Sequence, residues 1–238
     1  MSHIALVGGN EFRRDCDALD RALIDLTGGA GTPIVIVPTA ATNENPYVAG
    51  EHGIRHFRRL GAAPDKLLVD DDNANATEMA AALEQFRAVY FTGGDPVYLL
   101  ETLRGSLAWE AVLAVYARGG LVAGSSAGAM VFGGQMWRFN GWVAGLNLAP
   151  NVAVLPHHAT MAARWDAQRM AASLPSGVTL LGIDDATGLL LPEGRVLGVG
   201  EVTVYSPDGP RAFGPGAVIP LQFQLSHGPG DRPVASTI

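Results

Sequence analysis

Five short apolar runs in the first half of this chain limit what it can fold into. HIALVGG, PIVIVPT, KLLVD, AVYFTGG and GLVAGSS are near-continuous in apolar residues, and most end in small or turn-forming ones. Strands apolar on both faces belong in a parallel sheet covered by helices on each side. Amphipathic segments separate the runs. Residues 13–27 place Cys16, Leu19, Leu23 and Leu26 on one stripe and stop at Gly28-Gly29. Residues 76–86 bring Met79, Leu83 and Phe86 together behind a capping box of Asn75 and Glu78. Residues 106–118 carry Trp109, Val112, Leu113 and Tyr116 and end at Gly119-Gly120. Strand–helix–strand alternation implies βαβ units with right-handed crossovers. The expected fold is α/β: a doubly wound, mostly parallel sheet with a few antiparallel edge strands.

After residue 133 the pattern loosens. A glycine-rich stretch carries Trp137 and Trp142. It is followed by a strand at VAVLP, a helix with Met161, Trp165, Met170 and Leu174, and strands around VTLLGID and TGLLL. The run from Val196 to Val204 reads as a hairpin or meander at a sheet edge. No linker divides the chain, so one domain is expected over residues 1–225, with a polar, Pro/Gly-rich tail at 226–238. With 48% hydrophobic and 16% charged residues in 238, a sizeable core is expected and disorder is not. A net charge of −7 argues against nucleic-acid binding. The single cysteine, Cys16, excludes an internal disulfide and a cysteine-rich metal site. No basic leader opens the sequence, and no apolar run reaches the roughly 18 residues of a membrane span. A cytoplasmic protein with no membrane contact is expected.

Sites in doubly wound sheets lie at the carboxyl ends of the strands. PTAATNENP, FTGGDP and AGSSAGA all fall there. Gly124-Ser125-Ser126-Ala127-Gly128 fits G-x-S-x-G between an apolar strand and a helix-compatible run, the setting of a nucleophile elbow. A serine hydroxyl needs a base. Of six histidines, His3 starts a strand, His52 and His56 lie on a polar helix and His227 is in the tail. The pair His157-His158 follows an apolar strand in a loop able to present an imidazole. Asp184 and Asp185, again at a strand end, could orient it. The N–H of Ala127 and that of Gly94, in the bare-backboned FTGGDP, are candidate oxyanion donors. Asp95-Pro96 reads as a helix cap, with substrate contact as its other use. Trp137, Arg138 and Trp142 could wall a pocket, and Arg138, Arg164 or Arg169 could hold a carboxylate. The acidic run 70–72 reads as a solvated loop.

FTGGD, GSSAGAM, LNLAPNVAVLPHH and LLGIDDATGLLL, in this order, resemble the peptidase S51 family, over roughly Ile4 to Gly200. That family includes aspartyl dipeptidase (peptidase E) and cyanophycinase, within the class I glutamine amidotransferase-like superfamily. The resemblance implies a flavodoxin-like, amidotransferase-like sheet and a serine peptidase needing no metal or cofactor. It assigns Ser126 as nucleophile, His157 as base with His158 as alternate, and Gly94 and Ala127 as oxyanion donors. Asp185 stands where the family has a glutamate one methylene longer, and Asp184 is the alternate. The implied substrate is a short peptide or amino-acid amide, including isopeptide-like amides, cut through an acyl-enzyme. The motifs of the two named members are each incomplete here, since Leu155-Pro156-His157 leads into ATMAARW. A non-catalytic small-ligand or partner-binding module is the alternative. A glutaminase would want a cysteine at the elbow. An exposed strand or helix face leaves room for a homodimer.

Overall fold

A computed structural model describes residues 1–139, 141–162 and 164–225. The expected tail at 226–238, with His227, lies outside the described residues. The first strands and helices alternate as expected. They run β1 (His3–Val7), α1 (Asp17–Leu26), β2 (Pro33–Val37), α2 (Pro46–Arg59), β3 (Ala63–Lys66), α3 (Thr77–Leu83), β4 (Ala88–Phe91), α4 (Pro96–Leu103), α5 (Leu107–Ala117), β5 (Leu121–Ser125) and α6 (Ala127–Phe132). Then come β6 (Gln135–Arg138), β7 (Gly141–Ala144), β8 (Val152–Leu155), α7 (His158–Met161), α8 (Ala167–Ala172), β9 (Thr179–Ile183), β10 (Thr187–Leu191), β11 (Arg195–Gly198), β12 (Val202–Ser206) and β13 (Gly209–Phe213).

The central sheet has seven strands in the order β11-β10-β1-β5-β4-β2-β3. From β1 to β3 every pairing is parallel, while β10 and β11 add antiparallel. Alternate residues of the same strands feed two cores. Ile4, Leu6, Val35, Val89 and Val122 pack under α4, α5 and α6. Ala5, Val7, Ile36, Tyr90 and Ala123 pack against Leu19 and Leu23 of α1 and Phe57 of α2. Helices on both faces explain why these strands read as unbroken apolar runs.

Several expectations are corrected. Of KLLVD, only Lys66 belongs to a strand. The edge strand is Ala63–Lys66, pairing Ala63 through Lys66 with Pro33 through Ile36. An edge strand bonds on one side only, so it tolerates Pro64 and alternates in burial, which hides it from an apolar-run search. Leu26, at the last turn of α1, is 38% exposed. The N-cap of α3 is Ala76, which offers no side-chain cap. Asn75 instead accepts from the Leu107 N–H at the start of α5 (3.3 Å). The single helix expected over Met161–Leu174 is two short ones, the second capped by Asp166, which accepts from the Arg169 N–H.

The run from Val196 to Val204 is not one hairpin. β11 stays in the central sheet, whereas β12 joins a separate four-stranded sheet, β13-β12-β9-β8. The chain passes between the sheets at Gly198–Gly200, where space is short. A Cβ at Gly198 would sit 2.1 Å from the Ala186 carbonyl oxygen, and one at Gly200 would sit 2.7 Å from the Asp184 Cβ. In the second sheet β8 and β9 are parallel, so their carboxyl ends, Leu155 and Ile183, reach the same rim. A further hairpin, β6–β7, sets Trp137 opposite Trp142.

Candidate active site

The strand-to-helix turn between β5 and α6 holds Ser126 at φ 48°, ψ −106°. Non-glycine residues rarely adopt a positive φ, and the cost is tolerated where surrounding structure imposes it. The glycines on either side have a steric reason. A Cβ at Gly124 would lie 2.5 Å from the Gly128 carbonyl carbon, and one at Gly128 would lie 3.0 Å from Phe91. The helix thus packs onto the strand with no room for side chains, and Ser126 is lifted at the crest. Its neighbour Ser125 is fully buried.

His157 follows β8 at φ 51°, in the left-handed region. Its Nε2 lies 3.0 Å from Ser126 Oγ, and its Nδ1 lies 2.6 Å from Asp185 Oδ1. A carboxylate only accepts, so Nδ1 carries the proton and Nε2 is left to accept from the serine hydroxyl. The Asp185 loop is tied to the loop after β1: the Ala186 N–H donates to the Gly9 carbonyl (3.0 Å). The two alternates pair with each other instead. His158 Nδ1 is 3.5 Å from Asp184 Oδ1, and His158 Nε2 meets the Tyr205 hydroxyl at 2.7 Å. Asp184 also accepts from the Glu201 N–H (2.9 Å).

The loop after β1 ties these parts together, and sequence reasoning missed it. The Val7 carbonyl accepts from the Ser126 N–H (2.9 Å) and the Gly8 carbonyl from the His157 N–H (2.8 Å). Gly9 must be bare because a Cβ there would strike the His157 ring at 2.1 Å. Glu11 reaches across to the elbow. Its Oε1 accepts from the Gly93 N–H (2.7 Å), and its Oε2 accepts from the Ser125 hydroxyl (2.8 Å). The available signal was positional: LVGGNE ends a central strand on the same rim as the other motif loops.

Gly94 sits at φ 134°, and a Cβ would collide with the Ala40 carbonyl oxygen at 2.0 Å. Among the described residues no acceptor takes the Gly94 N–H, although the N–H groups before and after it are bonded. The Ala127 N–H opens α6, where a helix has no internal acceptor for it. Asp95 caps α4: its Oδ1 accepts from the Val97 and Tyr98 N–H groups, and its Oδ2 from Asn43.

The other candidates take no part in these hydrogen bonds. Trp137, Trp142, Arg164, Trp165 and Arg169 line a cavity of about 670 Å³. Arg138 turns to Glu101 (3.2 Å) and does not line that cavity. His56 is not on a polar face. It is buried and bonds the fully buried Asp20 at 2.7 Å, while His52 stays exposed on the same helix. Asp71 accepts from the Tyr98 hydroxyl. Cys16 is buried, and burial pushes its thiol up to about 12, so it offers no thiolate for a glutaminase. Among the described residues no three His, Cys, Asp or Glu side chains converge as a metal site, and no helix is long and apolar enough to cross a membrane.

Comparison with known proteins bears on the chemistry. The family model for peptidase family S51 matches residues 4–198. A cyanophycinase from Trichormus variabilis is 28% identical over 224 residues, 86% of this chain and 73% of that protein. An uncharacterized peptidase from Listeria innocua is 32% identical over 101 residues, 42% of this chain and 47% of that one. The crystal structure of a peptidase from an acI-B1 actinobacterium superposes with a TM-score of 0.82 at 27% identity, covering 92% of this chain and 96% of that one. A putative peptidase E from Listeria monocytogenes shares the fold, with a TM-score of 0.61 at 18% identity over 90% of this chain and 98% of that one. The family match runs from β1 through β11 and takes in the loops bearing Ser126, His157 and Asp185, so the chain belongs to peptidase family S51, hydrolases acting on peptides.

Proposed function

We propose that the chain is a serine-type peptidase that cleaves short peptides or isopeptide-like amides through an acyl-enzyme. The observation that carries this reading is the unbroken Ser126–His157–Asp185 chain of hydrogen bonds, 3.0 and 2.6 Å long. Ser126 attacks the amide carbonyl while His157 Nε2 takes its proton. Asp185 holds the imidazole in the tautomer that can accept, and stabilises the imidazolium once it forms. The Gly94 and Ala127 N–H groups receive the developing oxyanion. His157 then gives its proton to the departing amine, and the amide C–N bond breaks. Water, deprotonated by the same imidazole, releases the acyl group and restores the Ser126 hydroxyl. Membership of peptidase family S51 supports a peptide or amide substrate, with isopeptide-like amides carrying an acidic residue on the acyl side among those to be tried.

The experiment is a screen of dipeptides, β-aspartyl-arginine and small esters with wild type and Ser126→Ala, beside labelling by a fluorophosphonate. Wild type should turn over at least one amide and carry the label on Ser126. The alanine variant should lose about 10⁴- to 10⁶-fold in kcat, keeping a residue of rate from binding and the oxyanion donors. Equal turnover by both proteins would end the assignment of Ser126. A folded wild type that neither labels nor cleaves would favour a non-catalytic binding module.

A further inference from the structure

We propose that Glu11 is a positioning residue for the oxyanion hole: its carboxylate pins the Gly93 peptide and the buried flank of the elbow at once, fixing where the Gly94 N–H points. The proposal rests on the serine-peptidase reading above, in which that N–H meets the oxyanion.

Gly93-Gly94-Asp95 is bare backbone at its first two positions, and glycine peptides reorient easily. An oxyanion donor is useful only if it is already aimed when charge develops. Both neighbours of the Gly94 N–H are tied. The Gly93 N–H donates to Glu11 Oε1 at 2.7 Å, and the Asp95 N–H donates to the Ala40 carbonyl at 2.7 Å. The peptide between them is left facing a single way. The second Glu11 oxygen takes the Ser125 hydroxyl at 2.8 Å, one residue before the nucleophile. The same side chain thus sets the spacing between both halves of the site. That spacing is tight: a Cβ at Gly93 would lie 3.1 Å from Glu11 Oε1 and 3.2 Å from the Ser126 Cβ.

The loop that carries Glu11 is built to aim it. Asn10 and Phe12, on either side, both sit in the left-handed region, at φ 58° and 66°. Two such non-glycine residues in three positions persist only where packing imposes them. The Phe12 ring supplies that packing, wedged among Tyr90, His56 and Phe57 with centroids 5.4–6.0 Å away. The Asn10 carbonyl is held by the Cys16 thiol, which donates to it (3.2 Å). With both flanks anchored, the Glu11 side chain is carried across to β4 and β5.

Three variants test this. Glu11→Gln keeps the reach and can still accept from Gly93 while its amide donates to the Ser125 hydroxyl. Glu11→Asp is one methylene short and cannot span both partners. Glu11→Leu has neither bond. The readouts are the rate constant of fluorophosphonate labelling per reactive serine, kcat and KM on the best amide, and hydrogen exchange at the Gly93 amide. A merely misfolded fraction lowers the extent of labelling and leaves its rate constant alone. We expect Glu11→Gln to stay within a few-fold of wild type. Glu11→Leu should label at least about tenfold more slowly, with the loss in kcat and not KM, and with faster Gly93 exchange. Should Glu11→Leu fail to fold, Glu11→Asp decides, with the same signs and a smaller loss. Wild-type labelling rates in the Leu or Asp variant, a loss confined to KM, or unchanged Gly93 exchange would overturn the proposal. A wild type that does not label at all would overturn the serine-peptidase reading itself, and Glu11's role with it.

Discussion

Of the three histidine–aspartate pairs among the described residues, two are nearly equal in length. His157 and Asp185 are 2.6 Å apart at the rim of the sheet, with side chains 36% and 22% exposed. His56 and Asp20 are 2.7 Å apart between α2 and α1, with side chains 2% and 0% exposed. Each imidazole donates to its carboxylate and has a hydrogen-bond donor facing its other nitrogen. For His157 that donor is the Ser126 hydroxyl (3.0 Å), and for His56 it is the Arg59 guanidinium (3.2 Å). The difference lies in what the second donor can give up. A serine hydroxyl that loses its proton becomes a nucleophile, whereas a guanidinium does not lose its proton in a protein at all. A His–Asp pair alone is therefore no sign of catalysis. The third group and access to substrate decide it.

The sharpest way to break this comparison is to make the same change in both pairs. Asp185→Asn leaves the shape of the rim pair but lets the imidazole take the wrong tautomer, so kcat should fall by about 10⁴-fold with little change in melting temperature. Asp20→Asn should leave kcat of the folded protein unchanged. Steady-state kinetics on the cleaved amide, run beside thermal melts, separates the two. A large kcat loss in the Asp20 variant would mean that the buried pair reaches the site, through Phe12 and the loop that carries Glu11.

The two regions also differ in how far the sequence reveals them. The elbow was legible because its demands are local: a strand end, two glycines with no room for a Cβ, and a serine between them. The central strands were legible because burial on both faces leaves an unbroken apolar run. Edge strand β3 was not, since it alternates in burial and carries Pro64. Strands β8 and β9 were legible as apolar runs, but nothing in them tells that they leave the central sheet for a second one. Nothing in the adjacent letters His157-His158 tells that the first ring meets Ser126 and Asp185 while the second meets Tyr205 and Asp184. The burial of His56 is hidden because the charges of α2 make the whole helix look polar, while Gly53, Ile54 and Phe57 mark the face that is buried. Glu11 had no local signature: its two bonds reach residues 82 and 114 positions away.

The buried pair should yield the next largest effect, and in stability rather than rate. His56→Leu leaves the Asp20 carboxyl without its partner inside the core, and should cost about 3 kcal/mol in urea denaturation. The folded protein should keep its kcat. Replacing both residues with leucine removes the stranded group and should recover part of the loss, because apolar side chains of similar volume often substitute for a buried polar pair. A double variant no better than the single one would mean that packing around Phe12 and Phe57, and not the carboxyl, sets the cost.

The smallest effect is a dependence on pH with a definite sign. Burial pushes the Asp20 carboxyl up from its ordinary 3.8, and the hydrogen bond from His56 offsets part of the rise. The folded protein then holds that proton more tightly than the unfolded chain does. The stability contributed by this group is fully present below 3.8 and declines as pH rises through the raised value. An amide at position 20 carries no such proton. The stability difference between wild type and Asp20→Asn should therefore tilt toward the variant as pH climbs from the acid range to neutrality. Urea melts of both proteins across that range measure the tilt. A tilt in the other direction would mean that the hydrogen bond from His56 outweighs burial and holds the Asp20 carboxyl ionised.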